Sequence, residues 1–388
     1  MQANRMLNLK SHAAEQASDL LVDAAELSAW LHSNPEISFE EHGAVGRLVE
    51  LLADETFEIK REVAGLKTAF RASFSIDDQR PHVAYLAEYD ALPELGHACG
   101  HNLIAAASWC AAVAVRRTME AQGITGMVSV FGTPGQELYS GKATMTDAGC
   151  FDQVDAAMLV HPNDRNILDP VSMALSEFEA SFRGVTAHAA EAPYDARNAL
   201  NAVLIMFRAV DALRQHVPDD VRIHGIITEG GKAAGLVPDI AQARFACRAS
   251  RRDTLDQITE RVRRCAEGAA LATDTTLEIR PFEPQVDNIT HDPDLAALFR
   301  ANWELHVETI ARGRDCEAFG ALDTGNVSRV VPTIQPMVAA VPEGVKHHTR
   351  AFAEAMTGEL AREALVVAAR TLAMTGIDVL CGALNPRL

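Results

Sequence analysis

The chain has 388 residues, 48% hydrophobic and 23% charged, values ordinary for a soluble globular protein of one large or two medium domains. Its formal net charge of −18 argues against a nucleic-acid or anionic-membrane partner, because no basic excess exists to neutralise phosphates. No apolar run reaches bilayer-spanning length. The first twenty residues lack a signal peptide's apolar core, and the seven cysteines are odd in number and scattered, so a reducing, cytoplasmic setting is expected.

Residues 12–31 have helical spacing. His82–Asp90 (HVAYLAEYD) is a short apolar run bounded by Pro81 and Pro93, which predicts a buried strand. Asn102–Gln122 predicts a helix with Asn102 as its N-cap and Gly123 as its C-terminal stop. Met127–Pro134 and Ala156–Pro162 predict two more strands. Such alternation implies a mostly parallel sheet covered by helices. From Ser172 the pattern changes. A strand at Ser172–Gly184 is followed by a helix at Ala196–Gln215, whose apolar face is Leu200, Val203, Leu204, Phe207 and Val210. Two strands (VRIHGIITEGG and IAQARFACRAS), a helix at Arg252–Ala270 and the strand TTLEIRPFEP complete a β-α-β-β-α-β order, the ferredoxin-like pattern. The expectation is an α/β protein whose larger domain, 1–172 and 287–388, carries an inserted smaller domain at 173–286.

Chemistry concentrates where predicted strands end, the usual ligand crevice of an α/β sheet. Cys99 and His101, in GHACGHNLIA, lie between a strand and a helix. Glu137 and His161 each follow a strand, and His347 and His348 stand together in EGVKHHTRAF. Alone, each has a bland reading: a buried thiol at a capped helix start, a solvated turn, a surface histidine pair. Together they supply the thiolate, imidazole and carboxylate donors of a catalytic metal site.

The stretches AEYDALPELGHACGHNLIAAA, VFGTPGQE, LVHP, FRGVTAHAAEAPYDARNALNAV, HGIITEGG and HHTRAF occur in an order and spacing that resembles the M20 metallopeptidase and amidohydrolase family. The branch it is most similar to comprises the aminoacylase-1-like, aminobenzoyl-glutamate-hydrolase-like and auxin-conjugate-hydrolase-like members. The resemblance runs from Leu31 to the C-terminal His-Thr. It implies a dinuclear centre of Mn, Zn, Ni or Co, with Cys99, His101, Glu137, His161 and His348 as ligands and Asp90 orienting them. It also implies a lid that forms a homodimer. There His224 would reach a neighbouring active site and steady the oxyanion, while His188, Arg248 and the loop at Gly235 would meet substrate. The implied reaction is hydrolysis of an amide C–N bond in a small N-acyl amino acid, dipeptide or aryl-amide. An aminohydrolase releasing ammonia from an aromatic amine is the alternative on the same centre.

Two departures stand out. The family pattern Thr-Pro-x-Glu-Glu reads Thr-Pro-Gly-Gln-Glu here, so Gln136 occupies the general-base position. An amide cannot take the proton, a transfer commonly worth about 10²–10⁴ in rate. The next acid downstream of Glu137 is Asp147. An engineered Glu-to-Gln trap, a natural enzyme with another base, and a weakly catalytic metal-binding relative all remain open. In addition, Gly235 stands where relatives often carry Asn for a substrate carboxylate.

Overall fold

A computed structural model describes residues 2–77, 80–313 and 320–384. They form two compact units: Met1–Val171, Ile289–Phe319 and Asp323–Leu388 make one, and Ser172–Asn288 with Gly320–Leu322 make the other. In chain order the first unit contains α1 (Gln2–Asp19), α2 (Leu21–Ser33), α3 (His42–Asp54), β1 (Glu58–Arg61), β2 (Phe70–Ile76), β3 (His82–Ala87), α4 (His101–Gln122), β4 (Gly126–Gly132), α5 (Gly141–Asp147), β5 (Ala156–Met158) and β6 (His161–Asn163). The second contains β7 (Ala174–Arg183), α6 (Ala199–Leu213), β8 (Arg222–Glu229), β9 (Ile240–Ala249), α7 (Arg252–Thr273) and β10 (Thr276–Pro281). The first resumes with α8 (Pro293–Trp303), α9 (Thr324–Val330), β11 (Thr333–Ile334), β12 (Met337–Ala339), α10 (Arg350–Ala355) and α11 (Glu359–Leu380).

The main sheet has the order β1-β2-β4-β3-β5-β11. Its β4, β3, β5 and β11 are parallel, and β1 and β2 are antiparallel additions at one side. Every residue of β3 and β4 is buried, as expected for strands covered on both faces. Helix α4 packs against β3 and against α1, α2 and α11. It is buried almost continuously from His101 to Val115, so its alanine-rich sequence is apolar all round rather than on one stripe. Gly123 ends it at φ 63°, passing the amide N–H back to Met119, a glycine stop made possible by left-handed backbone.

Three local expectations need correction. The N-cap of α4 is Gly100 in left-handed backbone, while Asn102 lies inside the first turn and donates to Ser28 Oγ at 2.9 Å. The predicted strand Ala156–Pro162 is interrupted: β5 stays in the main sheet, whereas β6 pairs in parallel with β12. The strand predicted over His82–Asp90 ends at Ala87. Glu88–Asp90 leave the ladder as a buried segment, with Asp90 bonded to His101 of α4 and Glu88 to Lys142 of α5.

In the second unit the sheet order is β10-β7-β9-β8, all antiparallel, with α6 and α7 against one face. Phe178, Ala180 and Phe182 of β7 alternate inward to meet Phe245 and Cys247 of β9 and Val203 and Met206 of α6. Helix α6 starts at Asn198, whose side chain caps the amides of Leu200 and Asn201. Among the described residues, every cysteine is free and no helix is long and apolar enough to cross a membrane. Cys316 lies outside the described residues.

His82 is 1% exposed, donates from Nδ1 to Gln153 O at 2.8 Å and accepts from Ser129 Oγ at Nε2, also at 2.8 Å. Burial pushes its pKa down to about 4. The unfolded chain therefore takes up this proton first, and the stability tied to neutral His82 is lost as pH falls from about 6.5 to about 4. Chemical denaturation at pH 7 and pH 4 should show a stability difference about 3 kcal/mol smaller in His82→Gln than in the unaltered chain.

Candidate metal centre

The turn between β3 and α4 is built around Gly100, at φ 80°. A Cβ there would lie 2.7 Å from Pro162 Cγ and 2.8 Å from Met356 Sδ. Only glycine supplies both the left-handed backbone and the space, and this brings Cys99 and His101 onto the same side. His101 is fully buried and donates from Nδ1 to the Asp90 carbonyl and to Asp90 Oδ1, both at 2.9 Å. That commits Nδ1 as a donor and leaves Nε2 facing inward. Burial works against a charged ring, but Asp90 and Cys99 hold its pKa well above the usual histidine value, so a cation binding at Nε2 would displace a proton. Asp90 Oδ2 accepts from the Glu137 amide at 2.9 Å and from Ser38 Oγ at 2.7 Å. Burial alone would raise the pKa of Asp90. The charge and hydrogen bond of His101, with the Glu137 amide and Ser38, outweigh it and bring the carboxyl to about 2.

His161 opens β6. Its Nδ1 donates to Pro162 O at 2.8 Å, and its Nε2 lies 3.5 Å from Cys99 Sγ. Burial holds its pKa down at about 3, reinforced by His347, so the ring is neutral and able to donate a lone pair. The two adjacent histidines divide. His347 donates from Nε2 to Pro162 O at 2.9 Å and packs on Phe352. His348 takes φ 60° and donates its amide to Ala98 O at 2.9 Å. That places its Nε2 3.3 Å from Glu137 Oε2. The left-handed conformation costs a non-glycine residue about 1–2 kcal/mol, and such strain collects at functional sites. Hydrogen bonds to Cys99 and Glu137 lift His348 to about 10, so a cation taking its lone pair would displace a proton.

Two donor sets result. Cys99, His101 and His161 form one, and Cys99, Glu137 and His348 the other, each with ligand atoms within 4.8 Å of one another. Cys99 is common to both. His101 Nε2 and Glu137 Oε1 are buried, lie 3.8 Å apart, and have no hydrogen-bond partner among the described residues. A cation would satisfy both orphaned atoms. The mixture of thiolate, imidazole and carboxylate suits zinc and its transition-metal neighbours.

Gln136 lies between two pinned amides. Glu41 Oε1 accepts from Gly135 N at 2.9 Å, and Asp90 holds Glu137 N. Glu41 is fully buried, and burial raises its pKa to about 7. Downstream of Glu137 the sequence offers Asp147 as the next acid; the fold instead brings two upstream acids, Glu41 and Glu88, to this region. Glu88 Oε1 pairs with Lys142 Nζ at 2.8 Å, and Lys142 pairs in turn with Asp323 at 2.5 Å. A local signal for Glu88 exists: it stands two residues before Asp90, and alternate residues of an extended segment share a side. Lys142 and Asp323 are 181 residues apart and carry no such signal.

The remaining candidates lie in the second unit. His224 is exposed on the edge strand β8, opposite Ala246 of β9. His188 forms a bridge with Leu236, and Ala189 N donates to Gly235 O at 3.0 Å, so His188 and Gly235 share one surface loop pair. Arg248 faces Glu283, whose pKa is pushed to about 7 by burial and by Glu177 and is drawn back by Arg248.

An α/β sheet with a buried thiolate–imidazole–carboxylate cluster at its strand ends defines a metallohydrolase. Residues 174–274 match the peptidase dimerisation domain of M20 enzymes. The chain is 33% identical over 384 residues to Xaa-Arg dipeptidase of Mus musculus, covering 96% of this chain and 89% of that protein. It is 37% identical over 273 residues to one of the subunits of p-aminobenzoyl-glutamate hydrolase from Escherichia coli, covering 65% and 55%. A dinuclear metal-binding peptidase of the M20 family from Bacillus subtilis has the same fold, with TM-score 0.70, 20% identity and coverage of 94% and 99%. The chain belongs to the M20 family and is a metal-dependent amide hydrolase.

Gly100→Ala should abolish stoichiometric metal uptake, measured as bound metal per chain after dialysis, because Pro162 and Met356 would have to move apart. Asp90→Asn should lower metal affinity by about 10–100-fold in a chelator competition, since it puts an NH2 donor in place of one of the two carboxylate oxygens that serve His101 and the Glu137 amide.

Proposed function

We propose that the chain hydrolyses the C–N amide bond of a small N-acyl amino acid, dipeptide or aryl-amide at a centre of two divalent ions (Mn, Zn, Ni or Co). The single observation behind this is the pair of donor triads sharing Cys99. Cys99, His101 and His161 hold one ion, and Cys99, Glu137 and His348 the other. Divalent ions there supply Lewis acidity toward the scissile carbonyl and lower the pKa of water. Asp90 sets the tautomer of His101 and the course of the Glu137 backbone. Gln136 keeps the shape of the base position without its basicity. Relatives that act on Xaa-Arg dipeptides and on p-aminobenzoyl-glutamate support those two substrate classes.

The segment 173–286 acts as lid and dimerisation surface between the two parts of the catalytic domain, 1–172 and 287–388. The dimerisation-domain match and the exposed Ile226 and Ile227 on the edge strand support a homodimer through this segment. Exposed His224 then serves the partner's centre by stabilising the oxyanion, and His188, Arg248 and the Gly235 loop contact substrate. The scattered free cysteines support a cytoplasmic enzyme.

Protein reconstituted with Mn or Zn should cleave Xaa-Arg dipeptides or p-aminobenzoyl-glutamate and stop on chelation. Absence of bound metal after reconstitution would overturn the proposal. Ammonia release from an aromatic amine, without amide cleavage, would point to an aminohydrolase. Gln136→Glu should raise kcat by about 10²–10⁴; an unchanged kcat in an active parent would remove position 136 from the mechanism.

A further inference from the structure

One buried carboxylate beside the two triads has an oxygen with no partner. Glu88 is 1% exposed and follows directly on β3. Its Oε1 pairs with Lys142 Nζ at 2.8 Å. Its Oε2 has no hydrogen-bond partner among the described residues and lies 3.4 Å from His101 Nε2, itself unpartnered. A carboxylate oxygen and an imidazole nitrogen this close in a dry interior need a proton or a cation beside them.

The support behind Glu88 is rigid. Lys142 is fully buried in the first turn of α5. Asp323 receives its ammonium at Oδ1 (2.5 Å) and its backbone amide at Oδ2 (2.8 Å). Asp323 precedes α9 but does not cap it with its side chain; both oxygens are given to Lys142. Two carboxylates thus share one ammonium. Glu88 is a fixed anion whose free oxygen is aimed at the atom that His101 offers to a metal.

Glu88 belongs to neither of the two sets whose ligand atoms lie within 4.8 Å of one another. Its Oε2 nevertheless stands 3.4 Å from His101 Nε2, at the edge of the first set. We propose that Glu88 is a further carboxylate of the metal centre, acting from beside the ligand set by accepting a hydrogen bond at Oε2 from a water next to the cation, with Lys142 and Asp323 as the residues that position it. This inference rests on the metal-centre reading above and adds a residue that the family resemblance did not assign. Outer partners of this kind commonly govern affinity by about 10–100-fold.

The test uses the whole chain and cobalt(II) alone as probe, with affinity read by chelator competition and the thiolate-to-cobalt absorption band as the signature of Cys99 coordination. Glu88→Gln places an N–H donor where an acceptor is needed. Glu88→Asp keeps an anion for Lys142 while withdrawing the free oxygen by one methylene, and it decides the question if Glu88→Gln does not fold. Circular dichroism and unfolding temperature establish that each variant is native. The expected result is a weakening of about 10–100-fold in each folded variant, with the thiolate band retained at saturation. Unchanged affinity in a folded Glu88 variant, alongside loss of the band in Cys99→Ser, overturns the role of Glu88 and leaves the metal centre standing. Failure of the unaltered chain to take up cobalt overturns both.

Discussion

The centre depends first on Asp90. One buried carboxylate orients the ring of His101 through Oδ1 and holds the backbone of Glu137 through Oδ2, so two candidate ligands from different strand ends are referred to one point. Ser38, from the segment after α2, supplies a third hydrogen bond. A group so desolvated stays charged only because donors surround it, and those donors are the parts that must be placed. The electrostatic requirement and the positional one are therefore met by the same contacts.

Around Asp90 the chain accepts strained or demanding conformations. Gly100 adopts backbone and proximity that no Cβ would allow, and His348 lies in the left-handed region despite its side chain. These are paired consequences of bringing β3, β6 and the segment after β12 close together. Pro162 takes part in both: its ring crowds Gly100, and its carbonyl receives the rings of His161 and His347. The rigid, almost wholly buried α4 and the parallel strands beneath it provide a frame stiff enough to hold such geometry.

The second unit follows other rules. It has its own core, around Phe178, Phe182 and Phe245, and leaves apolar residues exposed on its edge strand and on α6. Its β9 alternates along its length and β7 from Ser176 onward, with one face packed on helices and the other bearing charges such as Glu177, Glu179, Arg244 and Arg248. That pattern is expected of an antiparallel sheet with one face open. Glu283, near Glu177 and Arg248, is pushed to about 7 chiefly by burial and by Glu177, with Arg248 drawing it back.

Much of this architecture is already contained in the residue pattern. Hydrophobic runs broken by proline mark β3, periodicity marks α6 and α7, and the switch between the two marks the change from one unit to the other. The five candidate ligands can be found because each stands next to a recognisable strand end or glycine turn, so local chemistry and local structure coincide. Departures arise where distant contacts decide local form. Gly100 rather than Asn102 begins α4 because the turn must clear Pro162 and Met356, and β6 leaves the main sheet because β12 offers it a partner. The choice between His347 and His348 follows from a resemblance; a single backbone dihedral gives it a physical basis. Glu88, Lys142 and Asp323 illustrate what only tertiary structure decides. Sequence determines which charged groups exist and which local segments can form. Which charges meet in the dry interior is settled by packing elements remote in the chain, since the energy that holds them together exists only after water has been removed.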